Sequence, residues 1–243
     1  MLLEILGMSE TRFFTIYIAQ GVIFAFFSFL AYKIIQRDRK RLNIIFASFY
    51  ISAATGLFIN FIYGPLDNIN VIYFLNYITN FCLYFSVIFL LVFCLILLKS
   101  EKVITKNKQL LIISIYGILI SLMILFPWND PEWGINIAEP QASPDWSIPF
   151  YLYVILVISI VATIPIFYFA IKIFKKFEDT QLKRKWKFFI IGTIEITIFT
   201  YGILTSNMLN MPAFRTIMGA IGLVLAISGG YLIYYGVGKQ IER

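Results

Sequence analysis

Seven apolar segments, each long enough to cross a bilayer, dominate this sequence. A spanning helix needs about 17–25 mostly apolar residues. Lipid offers the backbone no hydrogen-bond partners, so only helices and closed barrels span it. The sequence therefore predicts an all-α polytopic membrane protein, with one seven-helix transmembrane domain over residues 1–243. The predicted spans are residues 13–35, 43–63, 71–98, 109–126, 150–174, 187–209 and 214–237.

Basic residues mark one side of the predicted bundle. Of the 20 Lys and Arg residues, all but Arg12 and Arg215 fall in the first, third and fifth connections or in the carboxyl-terminal tail. The positive-inside rule then predicts an amino terminus outside and a carboxyl terminus in the cytoplasm, in the cell membrane. We interpret the net charge of +7 as a topology signal. The expected partners are the lipid bilayer, including anionic lipid headgroups at these loops, and no nucleic acid.

Catalytic and metal-binding side chains are scarce. The chain has no histidine, and its two cysteines, Cys82 and Cys94, both fall in the third span. Haem, zinc and copper sites and Cys–His catalysis therefore lack their usual residues. With a single carboxylate inside the spans, no carboxylate pair can form. We expect no cofactor, no metal and no enzymatic activity.

That single carboxylate is Glu195. It follows Lys187 by eight residues, which places it ~12 Å from the helix end, near the middle of a ~30 Å hydrocarbon core. An ionisable side chain at that depth costs about 2.5–3.5 kcal/mol and should face protein or water. Two interpretations stay open: a neutral acid that bonds inside the bundle, or a site for a proton, a cation or an amine ligand.

The third span carries a polar stripe in its outer half. Its five members fall within an arc of ~100° on the helix, and buried amides and phenols need partners, so the stripe should face the bundle. Asn80 lies at nearly the same depth as Glu195, so a hydrogen bond between them is expected if the third and sixth spans adjoin. The stripe consists of Tyr73, Asn76, Tyr77, Asn80 and Tyr84.

Further polar residues extend this candidate site to other spans. One interpretation is a ligand cavity that opens outward beneath the loop from Trp128 to Ser147. The other is interhelical hydrogen bonding that only holds the bundle together. On the seventh span, a ridge of small residues (Gly222, Ala226 and Gly230) predicts close helix packing. The added candidate residues are Gln20, Asn60, Tyr201 and Ser206, with Glu195.

Loop and helix-end sequences carry a resemblance. The relevant features are the basic run Arg37–Arg41, a fourth loop with Trp, Pro and Gly, the entry Leu182–Gly192 and the exit Tyr234–Gln240. Across the chain this pattern resembles the seven-helix amino-terminal sensor region of some histidine kinases and related bacterial and archaeal signalling proteins. Rhodopsins differ, because the last span here has no Schiff-base lysine.

The resemblance implies a receptor-like sensory module. That family continues into a kinase or cyclase where this sequence ends at Arg243, so we expect output through a separate cytoplasmic or membrane protein partner. The leading hypothesis is a small-molecule ligand in the outer-half cavity and signalling through the basic loops. Two alternatives are a small-solute or proton-coupled transporter that uses Glu195, and a structural subunit of a membrane complex.

Overall fold

The computed structural model describes residues 13–129, 131–137 and 144–238. Seven helices of this part are long and apolar enough to cross a membrane, which confirms the all-α polytopic fold. Arg12, Lys239 and Arg243, used above for orientation, lie outside the described residues. The helices are α1 Phe14–Arg37, α2 Arg41–Tyr63, α3 Ile69–Lys99, α4 Lys106–Pro127, α5 Ile148–Lys176, α6 Thr180–Leu209 and α7 Pro212–Val237.

Side-chain caps set several of the helix starts. Asn68, Thr105, Ser147 and Asp179 each accept a hydrogen bond from a backbone N–H in the first turn of α3, α4, α5 and α6. Such caps satisfy donors that the helix itself leaves unpaired. The cap at Asp179 explains the largest boundary difference, because α6 begins at Thr180 and so includes two polar turns ahead of the predicted span.

Two helices contain π-helical turns. In α1 the segment Phe14–Ala19 is π-helical, and in α5 the segment Ile158–Thr163 is. The second ends two residues before Pro165, whose missing N–H removes a normal helical bond. The Ile164 N–H donates instead to the Ser159 carbonyl, five residues back. The first π-helical segment ends beside Gln20, and the second contacts Tyr201; both residues are in the predicted site.

The helices form a closed ring in which chain neighbours touch and α7 returns to α1. Helix α4 packs outside, against α3 and α5. Near the basic loops the interior is filled by aromatic rings: Phe46 packs against Phe93 with centroids 4.9 Å apart, Phe93 lies 6.1 Å from Phe189, and Trp186 stacks on Phe189 at 4.4 Å. These rings join α2, α3 and α6 at one end of the bundle.

Helices α6 and α7 approach at the level of their backbones. A Cβ on Gly192 would lie 2.5 Å from the Gly229 carbonyl oxygen, and one on Gly229 would lie 2.9 Å from that of Gly192. The predicted small-residue ridge is divided between two neighbours, since Gly222 faces Phe199 of α6 and Gly230 faces Phe27 of α1. Only residues without a side chain allow so close a contact.

Beyond the far ends of the helices, the fourth connection forms a short hairpin. Strand β1 (Ile135–Asn136) pairs antiparallel with β2 (Asp145–Trp146), with Ile135 opposite Trp146. Trp146 is only 2% exposed, so it is a core residue and not the interfacial anchor that an outer-loop tryptophan suggests. Residues 130 and 138–143 of this loop lie outside the described residues.

The glycine contact predicts a large stability difference between two similar substitutions. Gly192→Ala should lower the free energy of unfolding by about 1–3 kcal/mol, because the new methyl group overpacks against backbone. Gly219→Ala on α7, where a Cβ meets nothing within 4 Å, is the matched control and should leave stability unchanged or raised. Thermal unfolding in detergent, followed by near-UV circular dichroism, measures both. Equal transition temperatures for the two variants would contradict the close approach of α6 and α7.

Candidate functional site

A cavity of about 250 Å³ lies inside the ring of helices. Side chains of α1, α2, α3, α6 and α7 line it, most of them apolar. Three of the polar residues singled out from the sequence, Gln20, Asn80 and Tyr84, contribute to its wall. The cavity is close to the lower end of the usual size of small-molecule sites, ~300–1,000 Å³.

The polar stripe of α3 is organised as a chain of hydrogen bonds. The Tyr84 hydroxyl donates to Asn80 Oδ1 (3.2 Å), and Asn80 Nδ2 donates to Asn76 Oδ1 (2.9 Å). Asn76 Nδ2 in turn donates to the Tyr63 hydroxyl of α2 (2.9 Å). All four side chains are buried. These hydrogen bonds supply the partners that lipid could not give to the two amides. The end of the series formed by Asn80 and Tyr84 lines the cavity.

The other two tyrosines of the stripe contact the fourth connection. The Tyr73 hydroxyl accepts a hydrogen bond from the Ile137 N–H at 3.0 Å. Tyr77 packs edge-on against Phe150 at the start of α5, with centroids 6.1 Å apart. Neither residue is part of the cavity lining. The hairpin also reaches Tyr84, because the ring of Trp146 lies edge-on to it at 6.2 Å. The described part of this loop therefore packs on the amino-terminal end of α3.

The remaining polar candidates divide between the cavity and other interfaces. Gln20 Oε1 accepts a hydrogen bond from Asn60 Nδ2, which joins α1 to α2 beside the cavity. Tyr201 points towards α5, where its hydroxyl bonds Ser159 (2.7 Å) and Thr163 (3.2 Å) of the π-helical segment. Ser206 is 1% exposed, and its hydroxyl has no hydrogen-bond partner among the described residues. Tyr201 and Ser206 are absent from the cavity lining.

Glu195 lies at the contact between α6 and α7. Its Oε2 is 2.5 Å from the Ser228 hydroxyl of α7, and its Cβ is 3.0 Å from the position of a Cβ on Gly229. It does not line the cavity, and no hydrogen bond joins it to Asn80 within the described ranges. The expected polar line from Glu195 through Asn80 to Asn76 is thus present only in its α3 part.

Ser228 lies within hydrogen-bond distance of two acceptor oxygens. The Ser228 hydroxyl oxygen is 2.5 Å from Glu195 Oε2 and 2.8 Å from the Val224 carbonyl oxygen. A hydroxyl carries one proton, so it can donate to only one of these two oxygens. The Ser228 hydroxyl is therefore shared between Glu195 of α6 and the Val224 carbonyl of its own helix.

Sequence reasoning missed the residues that α6 and α7 contribute to the cavity. They include Phe199, Thr200 and Arg215, and Phe14 and Thr15 of α1 also line the cavity. Arg215 is the only charged side chain in the lining among the described residues. The one signal for it in the sequence was its isolation, as a basic residue apart from the basic loops. Its Nη2 donates to the Pro144 carbonyl at 2.8 Å, and its Nε is buried without a partner in the described part of the chain.

Comparison with known proteins does not add to this geometry. No family model matches the chain, and neither a curated protein nor a solved structure matches it.

The Glu195–Ser228 contact predicts that charge at position 195 is dispensable. Glu195→Gln keeps the shape and supplies an amide N–H that can donate to Ser228, so the unfolding temperature in detergent should stay close to that of the native protein. Glu195→Leu removes the hydrogen bond and should cost about 1 kcal/mol. Circular dichroism melts of the two variants make the comparison. If Glu195→Gln is destabilised as strongly as Glu195→Leu, the carboxyl group itself is required and the prediction is wrong.

Proposed function

We propose that this chain is a receptor-like membrane sensory module that binds a small ligand in the cavity between α1, α2, α3, α6 and α7. The observation that carries the proposal is the cavity itself, with Gln20, Asn80 and Tyr84 converging on it from two helices. A mostly apolar cavity with a few oriented polar groups is the usual form of a small-molecule site.

The packing of α7 supports a way to transmit binding. Near the basic loops α7 is tied to its neighbours: the Tyr50 hydroxyl donates to the Gly230 carbonyl at 2.8 Å, and the Arg37 guanidinium lies 4.6 Å from the Tyr234 ring centroid. The opposite half, from Arg215 to Leu223, lines the cavity. A ligand there would contact the outer half of α7 while the inner half stays anchored. Differential contact of that kind is what a ligand needs to shift a conformational equilibrium.

The proposal includes an orientation of the helical bundle in the cell membrane. Alternate loops of the chain carry nearly all the basic residues, which would place these loops and the carboxyl terminus in the cytoplasm. The cavity half of the bundle would then face outside. The basic loops would meet anionic lipid headgroups and a separate signalling protein, to which the module would pass its output.

Orientation is testable with two single-cysteine sites on opposite ends of the bundle. Asp67 and Lys102 are both exposed and lie in successive connections. In intact cells, a membrane-impermeant maleimide should label Asp67→Cys and should label Lys102→Cys only after permeabilisation. The native protein is the control, because Cys94 is buried and Cys82 is half-buried in α3. Labelling of Lys102→Cys in intact cells, with Asp67→Cys protected, would reverse the proposed orientation.

Ligand binding is testable by a thermal-shift screen of small molecules against the detergent-solubilised protein. A true ligand should raise the unfolding temperature of the native protein, and Gly219→Leu should abolish that shift because its side chain enters the open space beside Gly219. Asn80→Ala should reduce the shift by removing a polar group of the wall.

Ile164→Ala is the matched control for this screen. Ile164 is 61% exposed on the surface of α5 that faces away from the bundle, and it does not line the cavity. It should retain the full ligand-induced shift. Ligands whose shift is unchanged in both Gly219→Leu and Asn80→Ala would show that binding occurs elsewhere, and the cavity would not be the sensory site.

A further inference from the structure

The lining of the cavity extends further along α1 than along the other helices. Its lining on α1 runs from Phe14 to Phe27, thirteen residues or ~20 Å along the helix, and on α7 from Arg215 to Leu223, eight residues or ~12 Å. A hydrocarbon chain lying along α1 in this space would run parallel to the acyl chains of the bilayer. Apolar side chains such as Ile23, Leu83 and Phe199 form most of the wall, and they suit a hydrocarbon tail better than a compact polar solute.

Charge is present at one end only. Arg215 lies in the first turn of α7, so its guanidinium is at the outer end of the cavity. One of its nitrogens donates to the Pro144 carbonyl, and the buried Nε has no partner among the described residues. Asp145 is near enough to interact electrostatically, but no ion pair joins the two in the described part of the chain. The guanidinium thus has donor capacity left for an anion, which it binds in its fork geometry.

The other polar groups of the wall are largely occupied. Asn80 bonds both Asn76 and Tyr84, and Gln20 Oε1 bonds Asn60. These pairs satisfy the amides inside the protein and leave few groups that require a ligand of their own. A ligand that matches this cavity therefore has an anionic group at the outer end and hydrocarbon along the rest.

The cavity also reaches the surface of the bundle between α1 and α7. Phe14, which is 57% exposed, and the exposed residues Thr216 and Ala220 all line it. The two helices contact each other near mid-span, where Phe27 packs on Gly230, and again at Phe14–Ala19. The exposed lining residues lie on both of these helices, so a molecule that enters from the lipid would pass beside them.

We infer that the ligand of this cavity is a single-chain amphiphile with an anionic head, whose carboxylate or phosphate binds Arg215 while its tail lies between α1, α6 and α7. This inference rests on the proposed function and names the ligand class of that same site.

A photoactivatable fatty acid with a diazirine in its tail tests the inference. The protein is placed in phosphatidylcholine nanodiscs, at a pH where the acid is ionised, and the labelled residues are mapped by mass spectrometry. Labelling should fall on the cavity-lining segments of α1, α6 and α7. Laurate should compete with the probe at least about tenfold better than dodecanol, which has the same chain without the charge.

Matched variants separate the head from the tail. Arg215→Gln should remove the preference for laurate over dodecanol, and Arg215→Lys, which keeps the charge, should retain most of it. Gly219→Leu should block labelling by filling the tail region. Size-exclusion profiles and far-UV circular dichroism confirm that each variant is folded.

Three results would overturn the inference, and they bear differently on the proposed function. Equal competition by laurate and dodecanol, blocked by Gly219→Leu, would show a cavity that binds neutral chains, and the proposed function would stand. An unchanged laurate preference in Arg215→Gln would place the anion elsewhere. Labelling that is unaffected by Gly219→Leu would show that amphiphiles do not bind in the cavity. The proposed function fails only if the thermal-shift screen also yields no ligand sensitive to Gly219→Leu.

Discussion

A polar side chain inside a bilayer has no water to bind, so it must take its hydrogen-bond partner from the protein. This constraint organises the amino-terminal half of α3. Four buried side chains, Tyr84, Asn80, Asn76 and Tyr63, bond one another in sequence and join α3 to α2. Glu195 follows the same constraint at another place, through Ser228 of α7. A carboxylate in the middle of a span is thus accommodated by one neighbouring hydroxyl.

Backbone contact between α6 and α7 determines where that carboxylate lies. Gly192 and Gly229 let the two helices approach so closely that residues on the same face, Glu195 among them, meet α7 before anything else. Ile196 and Phe199 also pack against α7, at Gly229 and Gly222, and together with Thr200 they line the cavity. The helix pairing of α6 and α7 therefore forms one edge of the cavity wall.

The two ends of the bundle differ in packing, and this difference underlies the proposed function. Around Phe46, Phe93 and Phe189 aromatic rings fill the interior, whereas the other end retains space beside Gly219. Protein interiors pack densely, so a cavity of this size is a departure from ordinary packing. Among the described residues of the lining, Arg215 alone is charged, so one end of the cavity is charged and the rest is mostly apolar.

Local sequence determined the number of spans, their approximate bounds and the inward direction of the α3 stripe. Span length and apolarity are properties of a continuous segment, and caps such as Asp179 act within a few residues, so both are readable in one dimension. The hydrogen-bond partner of each polar side chain was decided only by tertiary structure. Whether Glu195 meets Asn80 or Ser228, and whether Tyr201 faces the cavity or α5, depends on which helices adjoin and at what rotation. Those are set by packing between segments distant in sequence, such as Gly192 against Gly229, and no local periodicity encodes them.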